Sequence, residues 1–264
     1  MTVRDPLDPA GLTASSVGGM WRRVRVREEV GSTNAEVARL AAEGAPHGTV
    51  VTAESQSTGR GRAGREWVSP PRGGIAVSML LRPTAPQARW SWLPLLAGVA
   101  LAETVETRAE VPAHLKWPND LLVGPGHKTA GILAEVAAGA VALGVGLNVT
   151  LTREELPRPD TTSLLLAGAR LLDRTVLLAG LLRTVERWYT AWDAAQGDPE
   201  RSGLRAAYLR YCHTVGRNVS VWLPDGERLD GAAVDIDADG RLCVESEGRV
   251  TPVAAGDVHH VRLP

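Results

Sequence analysis

The spacing of apolar residues changes period along the chain, and each change marks an element. Residues 22–27 alternate, with Val24 and Val26 between arginines, which predicts a strand. Val37, Leu40 and Ala41 are then spaced for one face of a helix. Thr33-Asn34-Ala35-Glu36 reads as the capping box that opens it, so a helix is expected over 33–43. Alternation returns at 49–53 and more fully at 74–81, where Ile75, Val77, Met79 and Leu81 would face a core. A long loop, 55–72, separates those two strands. Ser91 is placed to cap a helix running to about 108, whose near-continuous apolar character (Leu95, Leu96, Val99, Ala100) implies burial against a sheet. Two strands joined by Gly124-Pro125-Gly126-His127 follow, then a strand over 140–149 and helices over 161–168, 175–195 and 203–211.

Beyond residue 214 the texture becomes finer. Five short apolar runs, starting near Val219, Ala233, Leu242, Val250 and Val258, are separated by tips such as Asp225-Gly226, Asp239-Gly240 and Glu247-Gly248. Short strands with such tips are hairpin signals and predict a small barrel. The pattern therefore divides into a flexible N-terminal arm (1–18), a mixed α+β domain (19–213) and a small β domain (214–264), with the last barrel strand reaching 263.

Composition narrows the class. No apolar run is long enough to span a bilayer, and residues 1–20 lack the apolar stretch of a signal or transit peptide, so a cytoplasmic protein without membrane contact is expected. A net charge of −1 gives no general attraction to nucleic acid. Cys212 and Cys243 form no C-x-x-C pair and have no flanking histidine cluster, so both are read as plain thiols rather than zinc or redox ligands. Arginine use is extreme: of 29 basic residues all but Lys116 and Lys128 are arginine. Lysine is a compact, rotatable charge and arginine a planar fork, so two lysines twelve residues apart in such a chain suggest a site that needs the first.

Two further stretches bear on that site. Gly59-Arg60-Gly61-Arg62-Ala63-Gly64-Arg65 formally matches G-x-G-x-x-G. A dinucleotide fold, however, needs a helix there and an acidic residue about twenty positions on, whereas Pro70 and Pro71 and then an apolar strand follow. Three arginines on a glycine-rich loop instead describe a mobile anion clamp; the alternative is a solvated basic loop. In the hairpin, a four-residue loop would pair Val123 with Lys128 and hence Asp120 with Gly131. That leaves room beside the carboxylate for a metal ion or a ligand, although Asn119-Asp120 after Pro118 is also an ordinary turn sequence. On the next strand, Gly144, Gly146 and Asn148 share one face, and a face of glycines lets something approach the backbone closely.

Taken in order, Ser32-Thr33-Asn34, the arginine loop, Lys116-Trp117-Pro118-Asn119-Asp120, Lys128-Thr129-Ala130-Gly131-Ile132-Leu133 and Gly144-Val145-Gly146-Leu147-Asn148 resemble the biotin protein ligases. The resemblance implies the mixed-sheet fold of the biotin and lipoate ligases, itself like that of class II synthetases, with an SH3-like C-terminal barrel. It implies a monofunctional enzyme, since no N-terminal DNA-binding domain is seen. Ser32, Thr33, Asn34 and Gln56 match positions that contact biotin, and Arg60, Gly61 and Arg62 match a loop that orders over the acyl adenylate. Lys128 matches the lysine at the biotin carboxyl and the α-phosphate. Arg60, Arg62, Arg65, Trp67, Lys116, Asn119 and Asn148 are the residues expected at ATP, with Trp67 near the adenine. Asp120 is expected as a Mg²⁺ ligand or as the group that orients the attacking amine. Ala63 stands where some members have arginine, and one extra residue lies between Asp120 and Lys128.

The implied reaction joins biotin to AMP from MgATP, with pyrophosphate leaving, and then passes biotin to a lysine of a biotin carboxyl carrier protein. A lipoate or octanoate ligase or transferase is the alternative and would need a long apolar tunnel instead of polar contacts to a ureido group. A monomer or weak homodimer is expected.

Overall fold

The computed structural model describes residues 4–223, 226–254 and 256–260. A short helix α1 (Ala14–Val17) precedes β1 (Arg23–Val30), α2 (Thr33–Ala42), β2 (Thr49–Gln56) and β3 (Gly74–Leu81). The helix α3 (Trp92–Thr104) leads into β4 (Ala113–Lys116), β5 (Asp120–Val123), β6 (His127–Ala137) and β7 (Ala140–Asn148). Two helices, α4 (Arg174–Ala194) and α5 (Leu204–Tyr211), come before β8 (Asn218–Trp222), β9 (Arg228–Ile236), β10 (Leu242–Ser246), β11 (Arg249–Val253) and β12 (Asp257–His260). The first seven strands form one mixed sheet, order β1-β2-β3-β7-β6-β5-β4, in which only β1 and β2 run parallel; the last five form a second sheet, order β11-β10-β9-β8-β12.

Strand alternation decides what each face of the large sheet meets. Val77, Met79, Leu143, Val145 and Leu147 turn to the main core, against α3 and α4. Every residue of α3 except Pro94 and Glu103 is buried, as its apolar run requires. On the other face, Leu80, Ala140 and Ala142 pack under Val37, Leu40 and Ala41 of α2. Since α2 has only ten residues, it leaves the other end of that face uncovered, around Gly144 and Gly146. The pocket described below sits there, beside the N-terminus of α2.

Four expectations are corrected. The stretch 1–18 is not a free arm over its described part: Leu7, Leu12 and Val17 are buried, and α1 packs on α4. The Leu7 N–H donates to Glu54 at 2.5 Å, and Glu54 pairs with Arg174 at 2.6 Å with both side chains almost fully buried. Five-residue spacing of the three apolar anchors hid this docking from a periodicity reading. Ser32, not Thr33, caps α2; its backbone is extended and its hydroxyl accepts from the Ala35 N–H, while Glu36 turns to Arg39. Ser91 caps nothing, its backbone being already helical and its hydroxyl donating to the Asp239 carbonyl. Residues 161–168 form turns rather than a helix, because Leu164 and Leu165 donate across to the carbonyls of Asn148 and Val149.

The small sheet forms as its hairpin pattern predicts, although residues 261–264 of its last expected strand and Asp225 of its first tip lie outside the described residues. It docks on the large domain through tryptophan N–H groups: Trp92 donates to the Ala238 carbonyl at 2.8 Å and Trp117 to that of Gly240 at 3.0 Å. Among the described residues no helix is long and apolar enough to cross a membrane.

Candidate active site

The hairpin β5–β6 departs from one expected pairing and keeps another. Its loop has three residues, so Val123 faces His127, not Lys128; Leu122 then faces Lys128 and Leu121 faces Ala130. Thr129 is the extra residue of a bulge, which restores the expected pairing of Asp120 with Gly131. The bulge turns Lys128 back toward Asp120, and its Nζ lies 2.6 Å from Asp120 Oδ1. Lys116, at the end of β4, is paired across the strands with Asp120, so the two lysines of the chain flank one carboxylate.

At the other end, the N-terminus of α2 carries a polar network. Gln56 Oε1 accepts from the Thr33 N–H at 2.8 Å and from the Thr33 hydroxyl at 3.1 Å. Asn34 donates through Nδ2 to the Leu133 carbonyl and to Glu135, while its Oδ1 lies 2.6 Å from the Ser78 hydroxyl. Ser32, Thr33 and Asn34 are all buried, so these groups are held in fixed orientations. Ser78 and Glu135 are the residues of this network that sequence reasoning missed, as it missed Glu66, Arg158 and Asp257 elsewhere around the pocket. Ser78 had a legible signal: it falls on the non-core face of β3, and its register partner is Gly144.

The glycine face forms the floor between these two ends. A Cβ on Gly144 would lie 2.4 Å from Asn34 Oδ1, and one on Gly146 would lie 2.4 Å from the Trp67 indole. Trp67 also covers Gly131, where a Cβ would come within 3.2 Å of the ring and 3.5 Å of Lys128 Nζ. The close approach expected from the glycines is thus made within this chain by Asn34 and Trp67.

Above the floor, Gly59–Trp67 folds as a narrow antiparallel loop. Arg60 bridges to Glu66, the Gly61 N–H donates to the Arg65 carbonyl at 2.6 Å, and the Trp67 N–H to the Gly59 carbonyl at 2.9 Å. Ala63 takes a left-handed φ of 53° at its tip. The three arginines reach outward to separate partners: Arg60 to Glu135 at 3.4 Å, Arg62 to Asn119 at 3.4 Å, Arg65 to Asp257 of β12 at 3.3 Å. Burial, and then the neighbouring Arg65, hold the Arg62 guanidinium below the usual arginine range, so its charge is one that a nearby anion would stabilise.

These parts enclose a cavity of about 270 Å³ lined by every expected site residue except Asn148. Asn148 lies on the same face at the end of β7, buried and outside the cavity's lining, its Nδ2 donating to the Thr162 carbonyl. Six cationic side chains line the cavity (Arg60, Arg62, Arg65, Lys116, Lys128, Arg158) against three carboxylates (Glu66, Asp120, Asp257), an excess that selects an anionic ligand. The arrangement suits a molecule with a neutral polar head at α2 and an anionic group at Lys128.

Comparison with known proteins points the same way. Residues 28–151 match the biotin/lipoate A/B protein ligase family, and residues 214–261 match the biotin protein ligase C terminal domain. The chain is 44% identical to the biotin–[acetyl-CoA-carboxylase] ligase of Mycobacterium tuberculosis, with 98% of each chain covered. It is 31% identical to the bifunctional ligase/repressor BirA of Bacillus spizizenii, over 90% of this chain and 74% of that one. Among solved structures, the biotin protein ligase from Aquifex aeolicus in complex with biotin and ATP superposes with a TM-score of 0.75 at 26% identity, covering 92% of this chain and all of that one.

Proposed function

The chain belongs to the biotin/lipoate A/B protein ligase family, among its biotin protein ligases, and from that premise we propose how its own residues carry the two half-reactions. The observation that carries the reading is the pairing of Lys128 with Asp120 at one end of a pocket whose other end is the oriented network of Thr33, Asn34, Gln56 and Ser78. A ureido ring offers two N–H donors and a carbonyl acceptor, and Ser32, Thr33, Asn34 and Gln56 supply fixed partners for them. A lipoyl or octanoyl tail offers no hydrogen bond to this polar end, whose groups then bond to one another and to the backbone instead of to the ligand.

In the first half-reaction the biotin carboxylate attacks the α-phosphorus of ATP; one P–O bond forms, the bond to the β-phosphate breaks, and pyrophosphate departs with the electron pair. Lys128 places a compact charge where the carboxylate and α-phosphate meet, and Arg60, Arg62 and Arg65 close over them from the loop. Trp67 offers an aromatic face for the adenine, and Lys116 and Asn119 stand at the phosphate side.

Magnesium is commonly held by one or two carboxylates together with phosphate oxygens. Asp120 meets that description: its Oδ1 already receives a cation, Lys128 Nζ at 2.6 Å, while among the described residues no cluster of three or more His, Cys, Asp or Glu is gathered for a metal. The site therefore fits an ion delivered with the nucleotide. Asp120 would hold it, and its chemistry there is neutralisation of phosphate charge.

In the second half-reaction the ε-amine of a lysine on a biotin carboxyl carrier domain attacks the mixed anhydride and AMP leaves. Asp120 orients that amine and takes its proton. The test is biotin-dependent ATP–pyrophosphate exchange followed by transfer to a carrier-domain lysine. Exchange driven equally by lipoate or octanoate would overturn the assignment of the polar end.

A further inference from the structure

β2 and β3 run antiparallel, and their ladder extends from Val50 with Met79 to Ala53 with Ala76. There it stops, and the arginine loop leaves from the open end, between Gln56 and Gly74. The two stems of that loop are joined by other means. A backbone bond crosses from the Arg72 N–H to the Glu54 carbonyl at 2.9 Å. The Arg174 guanidinium supplies the rest of the bridge. Its Nη1 donates to Glu54 Oε2 on one stem at 2.6 Å and to the Gly74 carbonyl on the other at 3.2 Å, while its Nη2 donates to the Asp5 carbonyl at 2.6 Å. The second Glu54 oxygen accepts from the Leu7 N–H, so the N-terminal segment closes the far side of the same cluster. Arg174 is the first residue of α4, whose start Asp173 caps, and the Asp8 N–H donates to the Thr175 hydroxyl of that turn at 3.0 Å.

A buried ion pair is a poor source of stability, because desolvation of both charges offsets much of their attraction. What this one fixes is a separation. A gap of only about 10 Å³ remains between the stems, lined by residues that include Glu54, Gln56, Trp67, Ser69 and Gly74. Gln56 holds the Thr33 N–H and hydroxyl at the polar end of the pocket, and Trp67 lies against Gly146 on its floor, so a shift of either stem displaces both. Lys128 and Asp120, on the β5–β6 hairpin, are not tied to the stems. We propose that Glu54, Arg174 and the segment 5–7 act as a positioning clamp on the stems, which sets where Gln56 and Trp67 stand and thereby the affinity of the pocket for biotin. The inference rests on the biotin ligase reading above. It gives the N-terminal segment an effect on a pocket that neither Asp5, Leu7, Glu54 nor Arg174 lines.

The test uses the full-length protein, with biotin, MgATP and trypsin as probes. Arg174→Lys keeps a cation beside Glu54, but one ammonium cannot span Glu54, Gly74 and Asp5 as the fork does. Leu7→Pro removes the N–H and leaves the ion pair in place; Leu7→Val, which also loses apolar bulk but keeps the N–H, is its reference. Biotin-dependent ATP–pyrophosphate exchange is measured well below each melting transition. The KM for biotin rises roughly tenfold in Arg174→Lys and about threefold in Leu7→Pro relative to Leu7→Val, while kcat changes by less than about threefold because Lys128 and Asp120 stay in place. Tryptic cleavage after Arg60, Arg62 and Arg65, read by peptide mass, quickens by similar factors, and cleavage within the barrel does not. A lowered melting temperature with unchanged KM and unchanged loop cleavage makes the pair merely structural and overturns the proposal. A fall in kcat as large as the rise in KM overturns it too. Where Arg174→Lys does not fold, the two Leu7 variants decide by the same measures. If the wild type shows no biotin-dependent exchange, the ligase reading has failed instead. The clamp is then judged by loop cleavage alone: faster cutting in the variants supports it, and equal cutting overturns it.

Discussion

At Gly144 the pocket floor has no room for even a methyl group, whose carbon would stand 2.4 Å from Asn34 Oδ1, while at the rim the arginine loop meets its partners across 3.3 to 3.4 Å. The floor is made of strands whose register is fixed on both sides and whose ligand-facing groups are buried and hydrogen-bonded. Two of the loop's arginines, Arg60 and Arg65, are held by exposed ion pairs at the edge of contact distance, each worth about 0–1 kcal/mol, and Arg62 by a long hydrogen bond to Asn119. Such pairs are easily given up to a phosphate or carboxylate. The floor therefore sets which molecule enters, and the loop responds to its charge.

The largest effect is expected from breaking the floor. Gly144→Val drives a branched side chain into Asn34, which cannot retreat without abandoning Glu135 and Ser78. Biotin affinity should fall on the order of 100-fold or more, because close backbone approach is what the glycine permits. Calorimetry with biotin alone measures it. An affinity within threefold of wild type would show that the floor does not select.

Next comes the charge at the end of the floor. Lys128→Arg keeps the charge but replaces a compact ammonium by a fork in a space shared with Asp120, Trp67 and Gly131. Single-turnover adenylation should slow by about 100-fold, the usual size of losing one preorganised charge contact in the transition state. A wild-type rate would remove Lys128 from the mechanism. On the loop, Arg62→Ala should form adenylate within about tenfold of the wild-type rate and release it to solvent, since closure is what retains a reactive intermediate. Free adenylate in the filtrate, with a low transfer yield, is the expected result; full transfer yield would mean that the loop does not act as a lid.

How much of this was legible follows the same division. The glycine face of β7, the arginine loop and the Asp120–Gly131 pairing were readable because each depends on local spacing. The pairing survived a wrong loop length because the Thr129 bulge compensated for it, which no alternation pattern shows. Long-range polar closure was not readable: Glu54 with Arg174 and Leu7, Ser78 with Asn34, and Asp257 with Arg65 join residues tens to hundreds of positions apart. The docked N-terminal segment was missed for the same reason, as was the cap of α2, where Ser32 and Thr33 are equally good candidates until the backbone of Ser32 is seen to be extended. Asn148 is the opposite case. Its motif was visible and its face is that of Gly144 and Gly146, but its bond to the Thr162 carbonyl at the end of β7 joins it to a turn fourteen residues on, which strand spacing does not show.

The smallest effect tests whether the barrel restrains the loop. Asp257 on β12 is the partner of Arg65 at 3.3 Å, and both side chains are about half exposed, so solvent screens the pair. Asp257→Asn should leave the melting temperature and biotin affinity unchanged and shift the KM for ATP by less than about threefold, in line with the weakness of exposed pairs. The direction is informative. If Asp257 competes with a phosphate for Arg65, removing its charge lowers the KM, because Arg65 no longer has to leave a carboxylate to reach the nucleotide. If the pair instead holds the loop in place, the KM rises. A fall would place the restraint on the loop in charge exchange; a rise would make the barrel part of the lid.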